Sequence, residues 1–212
     1  MTPANPPCVF LVDDDPFILR SVERLFFATS YVVEAYESSL QFLEHADLSR
    51  HGCIILDISM PGMPGPVLQE HLLQCRSLLP IIFLTGNGDV ANSVRAMKLG
   101  ACDFLTKPVE ADVLLDSVEL ALALNRRRLD QRDLIGGIES RLGQLTRRER
   151  QVLDLVVAGR LNKQIAAELG TVEHTIKLHR ASVMRKMAAD SISDLVTAMN
   201  TLRLLRPEAG AI

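Results

Sequence analysis

None of the four cysteines, Cys8, Cys53, Cys75 and Cys102, stands in a CxxC pair or at the spacing of a zinc site, so neither a zinc ribbon nor a disulfide frame is expected. They fall mostly in apolar stretches and read as small buried hydrophobes. Equally absent is an apolar run near the ~20 residues that cross a bilayer. The start of the chain has no basic region followed by an apolar one. The expectation is a soluble chain in a reducing cytoplasm, without a membrane partner.

What is present is charge, unevenly placed. The 212 residues carry a formal −3, and the length suits one or two domains with a sizeable core. Residues 1–125 hold 7 Lys+Arg against 16 Asp+Glu, a net of −9, whereas residues 126–212 hold 16 against 10, a net of +6. The asymmetry implies an acidic domain joined to a basic one suited to nucleic acid.

In the acidic half, Val9-Phe10-Leu11-Val12 reads as a strand ending in Asp13-Asp14-Asp15, with Asp15 capping and Pro16 opening a helix to about Ala28. Tyr31 to Tyr36 reads as a strand and Ser38 to Asp47 as a helix. The unalternating run Cys53-Ile54-Ile55-Leu56 predicts a strand buried on both faces. It closes on Asp57 and opens into the Pro/Gly-rich loop Ile58 to Gly65. A helix over Val67–Leu79, a strand over Pro80–Thr85, a helix over Asp89–Leu99 ended by Gly100, a strand over Cys102–Thr106 and a helix from Glu110 complete the pattern. Strand–helix alternation repeated five times predicts a doubly wound α/β parallel sheet with helices on both faces.

In such a sheet the ends of strands one, three, four and five share an edge, which gathers Asp13, Asp14, Asp57, Thr85 and Lys107. An isolated Asp-Asp pair reads as a turn and an isolated lysine as a solvated side chain. The five together read as a phosphoryl site. Crowded carboxylates repel, and a hard divalent cation such as Mg²⁺ relieves them while leaving room for phosphate oxygens.

At Val12-Asp13-Asp14, Asp57-Ile58-Ser59-Met60-Pro61-Gly62-Met63, Leu84-Thr85-Gly86 and Thr106-Lys107-Pro108, the chain resembles the receiver domain of two-component response regulators. The resemblance implies a five-stranded sheet of order 2-1-3-4-5 in which Asp57 accepts phosphate from the phosphohistidine of a sensor histidine kinase. It implies that Mg²⁺ is bound directly by Asp14, largely through water by Asp13, and by Asp57 and the backbone carbonyl of Ser59. Thr85 and Lys107 would hold the acyl phosphate, the Lys107–Pro108 bond would be cis, and Thr85 and Phe104 would form the switch. Pro64 and Pro66 depart from the family pattern and imply a stiffer loop after Asp57. Ser59 and Asn87 stand where the family tunes phosphoryl lifetime.

Between the halves, Asn125 to Leu134 mixes charges with leucines at intervals. It reads as a helix extension broken at Gly136-Gly137. Thr146 and Glu149 form a capping box. The helix that follows runs to Gly159, Asn162 is expected to cap a short helix ending at Gly170, and a longer helix covers Thr171–Met187, with Thr171 as its cap in place of Val172. A last helix is expected over Ser193–Leu204. On a wheel of about 100° per residue, Ile176, Val183 and Met187 share one face of the longer helix. His179 and Met184 flank them, and His174, Lys177, Leu178, Ala181, Ser182 and Arg185 lie opposite.

Leu145-Thr146, Arg148-Glu149, Val152-Leu153, Asn162 to Ala166, Thr175-Ile176-Lys177 with His179-Arg180, and Met184 to Met187 resemble the LuxR-type helix-turn-helix domain of the FixJ/NarL subfamily. That resemblance implies an all-α DNA-binding domain with Lys177, Leu178 and Ala181 at base edges. Lys163, Thr175, His179, Arg180 and Arg185 would contact phosphates or pack. The expected division is a receiver over 1–124, a linker over 125–144 and a helix-turn-helix domain over 145–212. The expected function is phosphorylation-dependent transcription control. It would run through a homodimer formed on the Asp89–Leu99 helix and fifth strand (Ala91, Val94, Arg95, Lys98), with double-stranded DNA and RNA polymerase as partners. Catalysis would be limited to the chain's own phosphoryl transfer and dephosphorylation. A regulator whose receiver works without phosphate is the alternative. An enzyme of flavodoxin-like fold lacks support, since neither a Gly-rich phosphate loop nor a nucleophile with its base is present.

Overall fold

The computed structural model describes residues 6–86 and 97–205. Its elements are β1 (Cys8–Val12), α1 (Pro16–Phe26), β2 (Val32–Tyr36), α2 (Ser39–His45), β3 (Gly52–Asp57), α3 (Gly65–Gln74), β4 (Ile81–Thr85), β5 (Asp103–Thr106), α4 (Ala111–Gly143), α5 (Arg147–Val157), α6 (Asn162–Glu168), α7 (Glu173–Met187) and α8 (Ile192–Leu205). They divide into two units, Met1–Leu129 and Asp130–Ile212.

In the first unit the strands form one parallel sheet of order β2-β1-β3-β4-β5. Strand residues alternate between two cores. Cys8, Phe10, Val12, Ile54, Leu56 and Phe83 pack with Phe42, Leu68 and Leu72 of α2 and α3. Val9, Leu11, Cys53, Ile55, Ile82 and Leu84 pack with Leu19, Val22, Phe26, Leu114 and Val118 of α1 and α4. A sheet covered on both faces needs apolar residues at successive positions, which is why these strands show no polar alternation in the sequence. Gly52 allows β1 and β3 to approach closely: a Cβ there would lie 2.3 Å from the Cys8 carbonyl oxygen.

The second unit surrounds a core of Ile138, Leu142, Val152, Leu153, Val156, Ile165, Ile176, Val183, Met187, Leu195 and Leu202. Among these, Ile176, Val183 and Met187 are the apolar stripe of α7.

Three local expectations are corrected. The helix does not break at Gly136-Gly137, because α4 continues to Gly143. Each glycine costs a helix about 1 kcal/mol relative to alanine. Burying Ile138 and Leu142 is worth about 1.5–3 kcal/mol each, and burial wins. Asn162 is not the cap of α6 but its first residue. Leu161 precedes it, with its N–H bonded to the Gln164 side chain at 2.9 Å. Thr171 does not cap α7, which starts at Glu173 after Val172 with no side-chain cap bond and an acidic residue in its first turn.

The helix expected over Val67–Leu79 runs instead over Gly65–Gln74, while two caps agree with expectation. Asp15 caps α1 through the Phe17 N–H at 2.8 Å. Thr146 and Glu149 complete the capping box of α5. Pro66 sits in the first turn of α3 behind Pro64, where no intrahelical N–H is needed. Of the helix expected over Asp89–Leu99, Met97 and Lys98 are helical, and Gly100 follows with φ +86°. Asn87, Ala91, Val94 and Arg95 lie outside the described residues.

Candidate functional site

Parallel strands end together, so the carboxyl edge of the first unit collects the residues that follow each strand. Val12 is level with Leu56, Asp57 with Leu84 and Thr85 with Thr106. Asp13 is 1% exposed, and its Oδ1 accepts the Asp15 N–H at 2.9 Å. Asp57 is 6% exposed, and its Oδ2 accepts the Ser59 N–H at 2.7 Å. Between them the Lys107 ammonium donates to Asp13 Oδ2 and to Asp57 Oδ1, each at 2.6 Å. The lysine is tied at its backbone as well, its N–H donating to the Thr85 carbonyl at 2.7 Å. The Lys107–Pro108 peptide is cis.

Thr85 is buried, and its hydroxyl donates to the Gly86 carbonyl at 2.9 Å. Phe104 is half-buried against Phe83, with ring centroids 6.1 Å apart. Asp14 and Ser59 are exposed. The structure thus joins Asp13, Asp57 and Lys107 by direct contact and sets Thr85 at the adjoining strand end, with Asp14 next to Asp13 in the chain.

Burial pushes the Asp13 carboxyl above its ordinary range, and the hydrogen bonds from Lys107 and the Asp15 N–H only partly offset it. For Lys107, burial opposes the ammonium. The hydrogen bonds and charges of Asp13 and Asp57 outweigh it, so its pKa lies above the usual lysine value. Two buried carboxylates, Asp13 and Asp57, against one ammonium leave an excess negative charge. Among the described residues no three His, Cys, Asp or Glu side chains form a cluster able to hold a metal ion. Hard oxygen donors such as Asp13 and Asp57 suit an ion that takes one or two carboxylates and keeps its waters, as Mg²⁺ does.

Two supporting residues escape a reading of the sequence. Ser39, 1% exposed, donates its hydroxyl to the Met63 carbonyl at 2.8 Å and pins the loop that follows Asp57. A Cβ on Gly65 would come 2.3 Å from the Asp57 carbonyl oxygen, so only glycine allows that loop to return beneath the strand end. Neither has a signal in the sequence, because each is defined by its approach to a backbone group outside its own element.

In the second unit, Lys177, Leu178, Ala181 and Arg185 are exposed along one face of α7, with His174 beside them. Leu178 is 60% exposed, an apolar side chain held in water. Lys163 is exposed on α6, while Thr175, His179 and Arg180 are half-buried. Arg180 donates to Asn162 Oδ1 at 2.5 Å, and the Ser182 hydroxyl donates to Glu149 Oε1 at 2.6 Å. Both therefore turn toward neighbouring helices. The wheel had put Ser182 with the outward residues.

Residues 9–119 match the family described as "Response regulator receiver domain", and residues 143–199 match "Bacterial regulatory proteins, luxR family". The chain is 40% identical over 194 residues to Nodulation protein W of Bradyrhizobium diazoefficiens, covering 92% of this chain and 86% of that protein. It is 38% identical over 195 residues to the response regulator protein TodT of Pseudomonas putida, covering 92% and 86%. Among solved structures, that of the response regulator StyR superposes with a TM-score of 0.85 at 42% identity, covering 92% of this chain and 99% of that one. No helix among the described residues is long and apolar enough to cross a membrane.

Proposed function

The chain belongs to the response regulators that join a receiver domain to a LuxR-type DNA-binding domain, and on that premise we propose that it takes a phosphoryl group on Asp57 from the phosphohistidine of a sensor histidine kinase, pairs with a second copy and binds double-stranded DNA to regulate transcription. The observation that carries this reading is the Lys107 ammonium held 2.6 Å from both Asp13 and Asp57 at the strand ends. We assign residues 1–124 to the receiver, 125–144 to the linker and 145–212 to DNA binding.

The transfer needs an in-line nucleophile and positive charge around the phosphoryl oxygens. A carboxylate oxygen of Asp57 attacks phosphorus, the P–N bond to the donor imidazole breaks, and its electron pair stays on the ring nitrogen. Mg²⁺, held by Asp14, Asp13 through water, Asp57 and the Ser59 carbonyl, would supply charge stabilisation at those oxygens. Lys107, which bonds Asp57 Oδ1, donates to one of them. The Thr85 hydroxyl leaves the Gly86 carbonyl to donate to another, and Phe104 moves into the space that Thr85 vacates. The segment before β5 and β5 itself then form the face on which two copies pair. Lys177, Leu178 and Ala181 read base edges, with Lys163 and Arg185 on phosphates.

Intact mass after treatment with acetyl phosphate and Mg²⁺ tests the first step. One added phosphoryl group is expected on the wild-type chain and none on Asp57→Asn, with phosphodonor-induced dimerisation on size exclusion lost in the same variant. An unmodified wild-type chain that still dimerises and binds DNA would favour the phosphate-independent regulator.

A further inference from the structure

The outward face of α7 has to be held at a fixed angle as well as exposed. Its apolar contacts, Ile176, Val183 and Met187, are buried but non-directional. A helix with its side chains is about 10–12 Å across, so a roll of about 20° carries an outer side chain by roughly 2 Å. That is enough to break a hydrogen bond to a base. Directional bonds on the inner side are the one from Arg180 to Asn162 of α6 and two that converge on one carboxylate of α5. Glu149 of α5 is only 5% exposed. Its Oε2 accepts the Thr146 N–H at 2.7 Å and the Lys186 ammonium at 2.6 Å, and its Oε1 accepts the Ser182 hydroxyl at 2.6 Å. Ser182 and Lys186 are one turn apart on α7, so both bonds grip the same side of that helix.

We propose that Glu149 is a positioning residue for DNA recognition. Through Ser182 and Lys186 it sets the roll of α7, so that Lys177, Leu178 and Ala181 meet base edges together. Lys186, a cation in a basic domain, spends its charge on Glu149 and not on a DNA phosphate. This inference rests on the DNA-binding reading above.

The test uses the full chain and a duplex enriched by the wild-type chain, with acetyl phosphate, from a random-sequence pool. A scrambled duplex of the same composition is the comparator. Binding is followed by fluorescence anisotropy over a range of KCl concentrations, at a temperature where circular dichroism shows each variant folded. Lys186→Met leaves the capping box of α5 intact. It is expected to lower affinity for the selected duplex roughly tenfold, about one mismatched base pair's worth. Affinity for the scrambled duplex and the salt slope should stay unchanged, and Lys186→Arg should restore the ratio. Glu149→Gln should shift the ratio in the same direction. A phosphate contact would act differently, with Lys186→Met weakening both duplexes equally and cutting the salt slope by about one. That result, or an unchanged ratio, overturns the proposal. A wild-type chain that enriches no sequence at all overturns the DNA-binding reading, and this inference falls with it.

Discussion

Asp13 and Glu149 are both buried carboxylates facing a lysine, yet their environments act in opposite directions. Burial dominates at Asp13 and raises its pKa. At Glu149 the Lys186 hydrogen bond, then those from Ser182 and the Thr146 N–H, pull the carboxyl from 4.5 down to about 2. A depressed folded pKa means that this stabilisation is fully present above the unfolded value and lost as pH falls through the folded one. The second unit is therefore expected to lose stability between about pH 4.5 and about pH 2. Glu149→Gln should be less stable at neutral pH and flatter across that window. Urea midpoints measured along the pH series check this, and parallel curves for the two proteins would rule it out. At this scale the cluster of Asp13, Asp57 and Lys107 was legible, because residue types and strand-end positions suffice to bring them together. Asn125 was not. It is wholly buried, and its side chain accepts the Gly52 N–H at 3.0 Å and donates to the Leu78 carbonyl at 2.8 Å. Those partners lie far away in sequence and are backbone atoms, which leave no mark on composition.

Among the elements, strands were read more surely than helix ends, and caps held only where the bond is local. A cap is a local bond, so Asp15, Thr146 and Glu149 could be placed from spacing alone. The course of α4 through Gly136-Gly137 was set by tertiary burial of Ile138 and Leu142, against local propensity. That conflict has a measurable consequence. A Cβ on Gly136 meets no heavy atom within 4 Å. Gly136→Ala should therefore stabilise the chain by about 0.5–1 kcal/mol, read as a rise in urea midpoint at unchanged slope. A fall in midpoint would show that the glycine is needed as such. Asn162 and Thr171 went the other way: the cap expected from residue type gave place to a tertiary bond, Asn162 to Arg180, and to a start at Glu173 with an acidic first turn.

For the whole molecule, the charge difference between the halves, −9 over residues 1–125 and +6 over 126–212, pointed to an acidic domain joined to a basic one suited to nucleic acid. Pairing of two copies by a two-fold axis predicts a footprint with two half-sites about 10–10.5 base pairs apart, or a multiple of that spacing. Acetyl phosphate should strengthen it in the wild-type chain and not in Asp57→Asn. A footprint of one half-site, or one indifferent to phosphodonor in both proteins, would count against symmetric pairing.

By itself the sequence determined the parallel α/β sheet, the residues at its carboxyl edge and the helix-turn-helix pattern, since these follow from hydrophobic period, strand termini and residue type. Only the tertiary structure decided that Lys107 lies between two buried carboxylates, that Gly65 must lack a side chain, and that Ser182 and Lys186 turn inward to Glu149. The physical reason is common to all three. Periodicity reports which face of an element is apolar, whereas a close contact depends on angstrom-scale approach between separate segments of the chain.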